Sequence, residues 1–132
     1  MTRLSHDEYV ALAAFRHALR KLLRFSREYL ISFDLTPEQY ETLLALRAAP
    51  ASTSIVVLSE QLQVKHHTAI SLVNKLARRG LLRRQHGRAD RRVVHLTLTK
   101  AGATLLEKVA AAHHLRAREL RTEIRAALKR LG

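Results

Sequence analysis

A chain of 132 residues is long enough for one modest core and too short for two independent ones. Its hydrophobic fraction of 47% and charged fraction of 27% are those of a globular protein, and no apolar run approaches the roughly 20 residues that span a bilayer. The absence of cysteine excludes disulfides, thiolate metal sites and cysteine nucleophiles, while a formal net charge of +13 calls for a polyanionic partner, either nucleic acid or an anionic membrane surface. With no apolar signal segment at its start, the chain is expected in the cytoplasm.

The first predicted element is a helix over about residues 5–32. Ser5 caps it, Glu8 closes a capping box three residues on, and Leu4 faces Tyr9 in the position of a hydrophobic staple. Leu12, Phe15, Leu19, Leu22, Ser26, Tyr29 and Phe33 recur at three- and four-residue spacing and mark its inward face. A second helix starts at Thr36, with Pro37 at the first helical position and Gln39 completing another capping box, and runs to about Ala48. Residues 50–54 read as a loop.

A short helix over 55–63 follows, with Leu58 and Leu62 inward. A tight turn at Gln63-Val64-Lys65 then leads into a helix over about 66–79. Ala69, Leu72, Val73 and Leu76 form the buried face of that helix, while His67, Ser71, Asn74, Lys75 and Arg78 form the outer one. Every residue of the outer face donates hydrogen bonds and none is acidic, as a helix lying in a DNA major groove requires. Gly80 stops the helix. A β-hairpin is expected next, with strands 81–86 and 91–99 and a Gly87-Arg88-Ala89-Asp90 loop, its second strand alternating Val94, Leu96 and Leu98 with His95, Thr97 and Thr99. Residues 65–100 carry ten Lys/Arg and a single acid, Asp90. The bland explanation of such a run is a solvated face; its concentration beside a helix-turn-helix favours polyanion binding. Asp90 is expected to orient a neighbouring guanidinium, that of Arg92, rather than to act as a catalytic group.

Residues 101–131 contain no proline, and no glycine after Gly102. Leu105, Val109, Ala112, Arg116, Leu120, Ile124, Leu128 and Leu131 keep helical spacing, with an interruption at Arg116. One helix of that length would reach about 45 Å, more than a domain of this size covers. Two long helices with surplus apolar surface imply a two-fold dimer interface, against the alternative that both pack within one chain.

The run from Leu58 through Thr68 to Arg84 resembles the helix-turn-helix of the MarR family of bacterial transcriptional regulators. Asp90-Arg91-Arg92 and Leu96-Thr97-Leu98-Thr99-Lys100-Ala101-Gly102 are similar to that family's wing and the start of its next helix, and residues 35–44 to its second helix. The resemblance implies a mainly α fold with a small β-wing. Residues 1–132 would form a single domain, with a winged helix-turn-helix over 36–100 between dimerisation helices at 4–33 and 101–131. It implies a homodimer repressing transcription at a pseudo-palindromic site on double-stranded DNA, relieved by a small aromatic or anionic effector. Lys65 and His67 stand where many members have Ser or Thr, a departure that bears on the cap and base preference of the recognition helix.

On the combined reading the DNA-contacting residues are Lys65, His66, His67, Thr68, Ser71, Asn74 and Lys75 in the recognition helix, and Arg84, Arg88, Asp90, Arg91 and Arg92 in the wing. Phe15, Arg16, His17, Arg24 and Tyr29 are effector-site candidates by location alone. No phosphate loop, nucleophile elbow or paired-carboxylate motif is present, so catalysis is not expected. Neither is a cofactor. The eight histidines include no pair at i, i+4, and no metal site is expected. The rival function is a winged helix that binds structured RNA or another protein without operator specificity.

Overall fold

The computed structural model describes residues 2–132. Six helices and one hairpin run in the order α1 (His6–Leu30), α2 (Pro37–Ala48), α3 (Ile55–Leu62), α4 (His66–Arg78), β1 (Leu82–His86), β2 (Val94–Leu98), α5 (Lys100–Glu119) and α6 (Arg121–Arg130), with a 3-10 turn over Ile31–Phe33. Both expected capping boxes form: Ser5 with Glu8 on α1, and Thr36 with Gln39 on α2. The staple does not close, since Leu4 and Tyr9 are both exposed.

Leu30 from α1, Leu43 from α2, Leu58 from α3, Val73 and Leu76 from α4, Leu96 from β2 and Val109 from α5 are fully buried in one core. All four inward positions expected on α4 are buried. The interior of α1 differs from its expected stripe. Its buried residues are Ala11, Ala18, Ser26 and Leu30, whereas Leu12 is exposed and Phe15, Leu19, Leu22, Tyr29 and Phe33 are half-buried. The helix packs against both α6 and α5, and Ser26 meets His113 of α5.

The C-terminal segment is two helices, not one. It breaks at Leu120, which is 4% exposed and takes φ −86°, ψ −3°. The break carries no glycine or proline; what it accomplishes is packing. Beyond it α6 folds against α1, burying Ala127, and Lys21 Nζ donates to Glu123 Oε1 at 2.8 Å across the contact. That hydrogen bond, more than anything else, holds the Glu123 carboxyl below its ordinary pKa.

Three local features orient the lobe formed by α2, α3, α4 and the hairpin. Gly80 takes φ +72°, a left-handed turn that a Cβ would strain, and reverses the chain from α4 into β1. Thr99 joins this corner to α5: its hydroxyl donates to the Gly80 carbonyl at 2.6 Å and accepts from the Gly102 N–H at 3.0 Å. Gly102 lies so close to the Leu81 carbonyl oxygen that a Cβ there would overlap it. Finally, Arg79 reaches back from the end of α4, donating to the Asp34 carbonyl at 2.5 Å and the Phe33 carbonyl at 3.3 Å. Asp34 sits at φ +53° in the corner between α1 and α2, so the end of α4 is clamped to that corner.

Candidate nucleic-acid interface

Across α4 the outer face exposes His66, His67, Ser71, Lys75 and Arg78, with Thr68 and Asn74 half-buried at its edges. Lys65 is its N-cap and makes no side-chain cap, so no side chain accepts from the first-turn N–H groups. A first turn of this kind favours an approaching phosphate. Buried leucine on one side and uncharged or cationic donors on the other give a rigid helix with an acid-free outer surface.

The hairpin pairs β1 with β2 antiparallel, Leu82 opposite Leu98 and His86 opposite Val94. The second strand begins at Val94, not at Arg91, because the turn is wider than its glycine suggests: the Gly87 N–H donates to the Val93 carbonyl at 2.8 Å, and the Val93 N–H to the Asp90 carbonyl at 3.1 Å. Arg91 and Arg92 therefore belong to the loop with Arg88. Asp90 organises that loop. Its carboxylate accepts from the Arg92 backbone N–H at 3.0 Å, from Nε at 3.2 Å and from Nη2 at 3.3 Å, and these bonds hold its pKa below the usual carboxylate value. His86 Nδ1 donates to the Arg91 carbonyl at 2.8 Å and braces the far side. Arg88 and Arg91 are exposed and form no ion pair among the described residues.

Helix and hairpin are joined directly. Arg84, on β1, donates through Nη1 to Asn74 Oδ1 on α4. Asn74 thus spends its acceptor inside the protein and keeps only its N–H₂ for a partner, while Arg84 ties the wing to the helix instead of standing free. Two further contacts lay outside the reach of sequence reasoning. Thr53 bridges Leu96 as a one-residue third strand, with the Leu96 N–H donating to the Thr53 carbonyl at 2.8 Å. Ser52 Oγ lies 3.3 Å from His95 Nδ1. Nothing in the polar run 50–54 signals a strand.

The five effector candidates do not converge. Arg16, His17 and Arg24 are exposed, Arg24 paired with Glu28 at 2.9 Å; Phe15 and Tyr29 are half-buried, and Tyr29 packs edge-on against His113 of α5 with ring centroids 5.8 Å apart. Sharing one helix does not put them on one face. A cleft of about 440 Å³ opens instead between α1, α2 and α5, lined by Leu22, Tyr40, Glu41, Leu44, His113 and His114 among others. His113, 7% exposed, is its polar hub: Nδ1 donates to the Val109 carbonyl at 2.7 Å, Nε2 accepts from the Ser26 hydroxyl at 2.9 Å, and the ring stacks on Tyr40 at a centroid distance of 4.0 Å. Burial first, and Glu38 second, raise the Glu41 pKa. Among the described residues, no three His, Asp or Glu side chains group to hold a metal ion, and no helix is long and apolar enough to cross a membrane.

No protein of curated function matches the chain in sequence. Residues 33–93 match the MarR family. Among solved structures, AbsC, a MarR family transcriptional regulator from Streptomyces coelicolor, superposes with a TM-score of 0.78 at 23% identity, over 90% of this chain and 81% of that one. MepR from Staphylococcus aureus in its DNA-binding conformation gives 0.76 at 25% identity, over 83% and 80%. Wild-type MarR from E. coli gives 0.69 at 25% identity, over 93% and 84%.

Proposed function

We propose that this chain, whose residues 33–93 match the MarR family and whose fold is that of the family's winged-helix transcriptional regulators, represses transcription as a homodimer on a pseudo-palindromic duplex site. The observation that carries this reading is the acid-free outer face of α4 joined through Asn74 and Arg84 to the arginine loop of the hairpin, whose one acid, Asp90, is held by Arg92. The α4 face offers donors to base edges at His67, Thr68 and Ser71, while Arg88, Arg91 and the Asp90-oriented Arg92 offer guanidinium groups to phosphates or a narrow minor groove. Dimerisation is supported by apolar side chains that this chain leaves uncovered on its arm: Leu12, Leu23, Leu115 and Leu128 are 42%, 48%, 58% and 50% exposed. Half-sites would lie one helical turn apart, about 34–36 Å. The single-domain division, with residues 4–33 and 101–131 as dimerisation arms around 36–100, is part of the same proposal.

The effector belongs in the 440 Å³ cleft, which joins the arm to the DNA-side lobe. Its walls are aliphatic and aromatic with a carboxyl at Glu41, so it suits a planar apolar ligand that is neutral or cationic, and Glu41 disfavours an aromatic acid. A thermal-shift screen pairing aromatic amines with the matching acids tests this; stabilisation by the acids alone overturns the assignment.

Competition binding decides the main reading. Duplex DNA from upstream of the protein's own gene should outcompete structured RNA and unrelated duplex. Equal affinity for all three would leave a sequence-independent polyanion binder.

A further inference from the structure

The winged surface does not account for all of the positive charge. On α6, Arg121, Arg125 and Lys129 follow one another at four-residue spacing and are all exposed. At 3.6 residues per turn, Arg125 and Lys129 lie roughly 160° around the helix from buried Ala127, and Arg121 roughly 120°. The three cations therefore form a ridge on the side turned away from α1. The acids at hand are already engaged: Glu123 pairs with Lys21, and Glu119 with Arg116. Like charges at i, i+4 destabilise a helix, and this ridge has two such pairs with no acid interleaved. A polyanion lying along it would reverse the sign of that contribution.

We infer that the outer ridge of α6 is a second, sequence-independent binding surface for the phosphate backbone of duplex DNA. It is separate from the winged surface, since α6 packs against α1 and α5 whereas α4 packs against α2, α3 and β1. From Arg121 to Lys129 the ridge runs about 12 Å, which faces roughly seven duplex phosphates counted over both strands. Two arginines favour phosphate, which guanidinium holds in bidentate fashion. A membrane surface fits less well: an interfacial helix must offer a broad apolar face to the lipid, and Leu128 is the one large apolar side chain that α6 exposes. In a dimer the ridge occurs twice, so a bound operator could hold a second segment of the same DNA.

The test uses the full chain and a labelled 30-bp duplex of mixed sequence, with binding followed from 50 to 200 mM salt. A wing-neutralised protein (Arg88→Gln, Arg91→Gln, Arg92→Gln) is compared with one that also carries Arg121→Gln, Arg125→Gln and Lys129→Gln. The first should retain weak binding, and the added substitutions should flatten its log–log salt dependence by roughly 2.7 per chain, three phosphates at 0.9 each. Thermal unfolding should show the added substitutions leaving the fold intact, since they remove repulsion. Equal salt slopes in the two proteins overturn the inference, as does a larger loss on phosphatidylglycerol vesicles than on the duplex. The winged reading fails separately, if wing neutralisation alone leaves duplex binding at the wild-type level.

Discussion

Arg92 illustrates how a flexible cation becomes a positioned one. Two of its side-chain nitrogens and its own N–H converge on Asp90, which leaves the outer edge of the guanidinium facing solvent from a fixed loop. Replacing Arg92 with Ala should weaken duplex binding across sequences and reduce the salt slope by about one unit; an unchanged slope in a salt titration would remove Arg92 from the interface. The Asp90 pKa is depressed, so the pair is intact above the ordinary carboxylate range and is lost only as pH falls through the lowered value. Duplex affinity near neutral pH should therefore carry no Asp90 titration. His67 and Ser71, by contrast, sit on the exposed outer face of α4, and among the described residues their side chains have no hydrogen-bond partner. His67→Ala and Ser71→Ala should alter preference at single base pairs, each by about 1–3 kcal/mol, readable by binding to a panel of single-position operator variants.

At the scale of elements, the seam between hairpin and α5 is tight. Gly102 is there because the Leu81 carbonyl oxygen occupies the space of a Cβ, so the backbone itself must move to admit one. Gly102→Ala should cost about 1–3 kcal/mol in chemical denaturation, the usual penalty of overpacking. A loss confined to tenths of that would mean the seam is loose. The same scale shows what could be read without coordinates. Ser5, Thr36 and Pro37 announce their helix starts because capping is a local interaction between residues three apart. The alternation of Leu72, Val73 and Leu76 with Ser71 and Lys75 is equally local, and α4 emerges as read. The break at Leu120 is not local: it depends on α1 lying about a hundred residues earlier in the chain, with Lys21 placed to meet Glu123, which are 102 residues apart. The tie from Arg84 to Asn74 is equally beyond local reading: the sequence places Arg84 in the wing among the DNA-contacting residues, and its partner lies on another element. The effector candidates failed to converge because helical periodicity identifies a face only once the neighbours that cover it are known.

For the whole molecule, the division of labour follows the packing. A lobe built around Leu58, Leu76 and Leu96 presents α4 and the hairpin, and an arm of α1, α5 and α6 leaves apolar side chains uncovered, which in the proposed dimer would meet a second copy. The clamp from Arg79 onto the Phe33 and Asp34 carbonyls sits where lobe and arm meet. It makes that junction a stiff joint, and in the proposed dimer two such joints would hold the separation of the lobes as a ruler does. Inserting one base pair between half-sites rotates one of them by roughly 35° about the duplex axis, and a stiff joint has no soft torsion to follow it. Operators lengthened by one base pair should lose most of their affinity, Arg79→Ala should restore part of it while weakening the native spacing, and a spacing series in gel shifts will show whether this protein measures distance as strictly as it reads sequence.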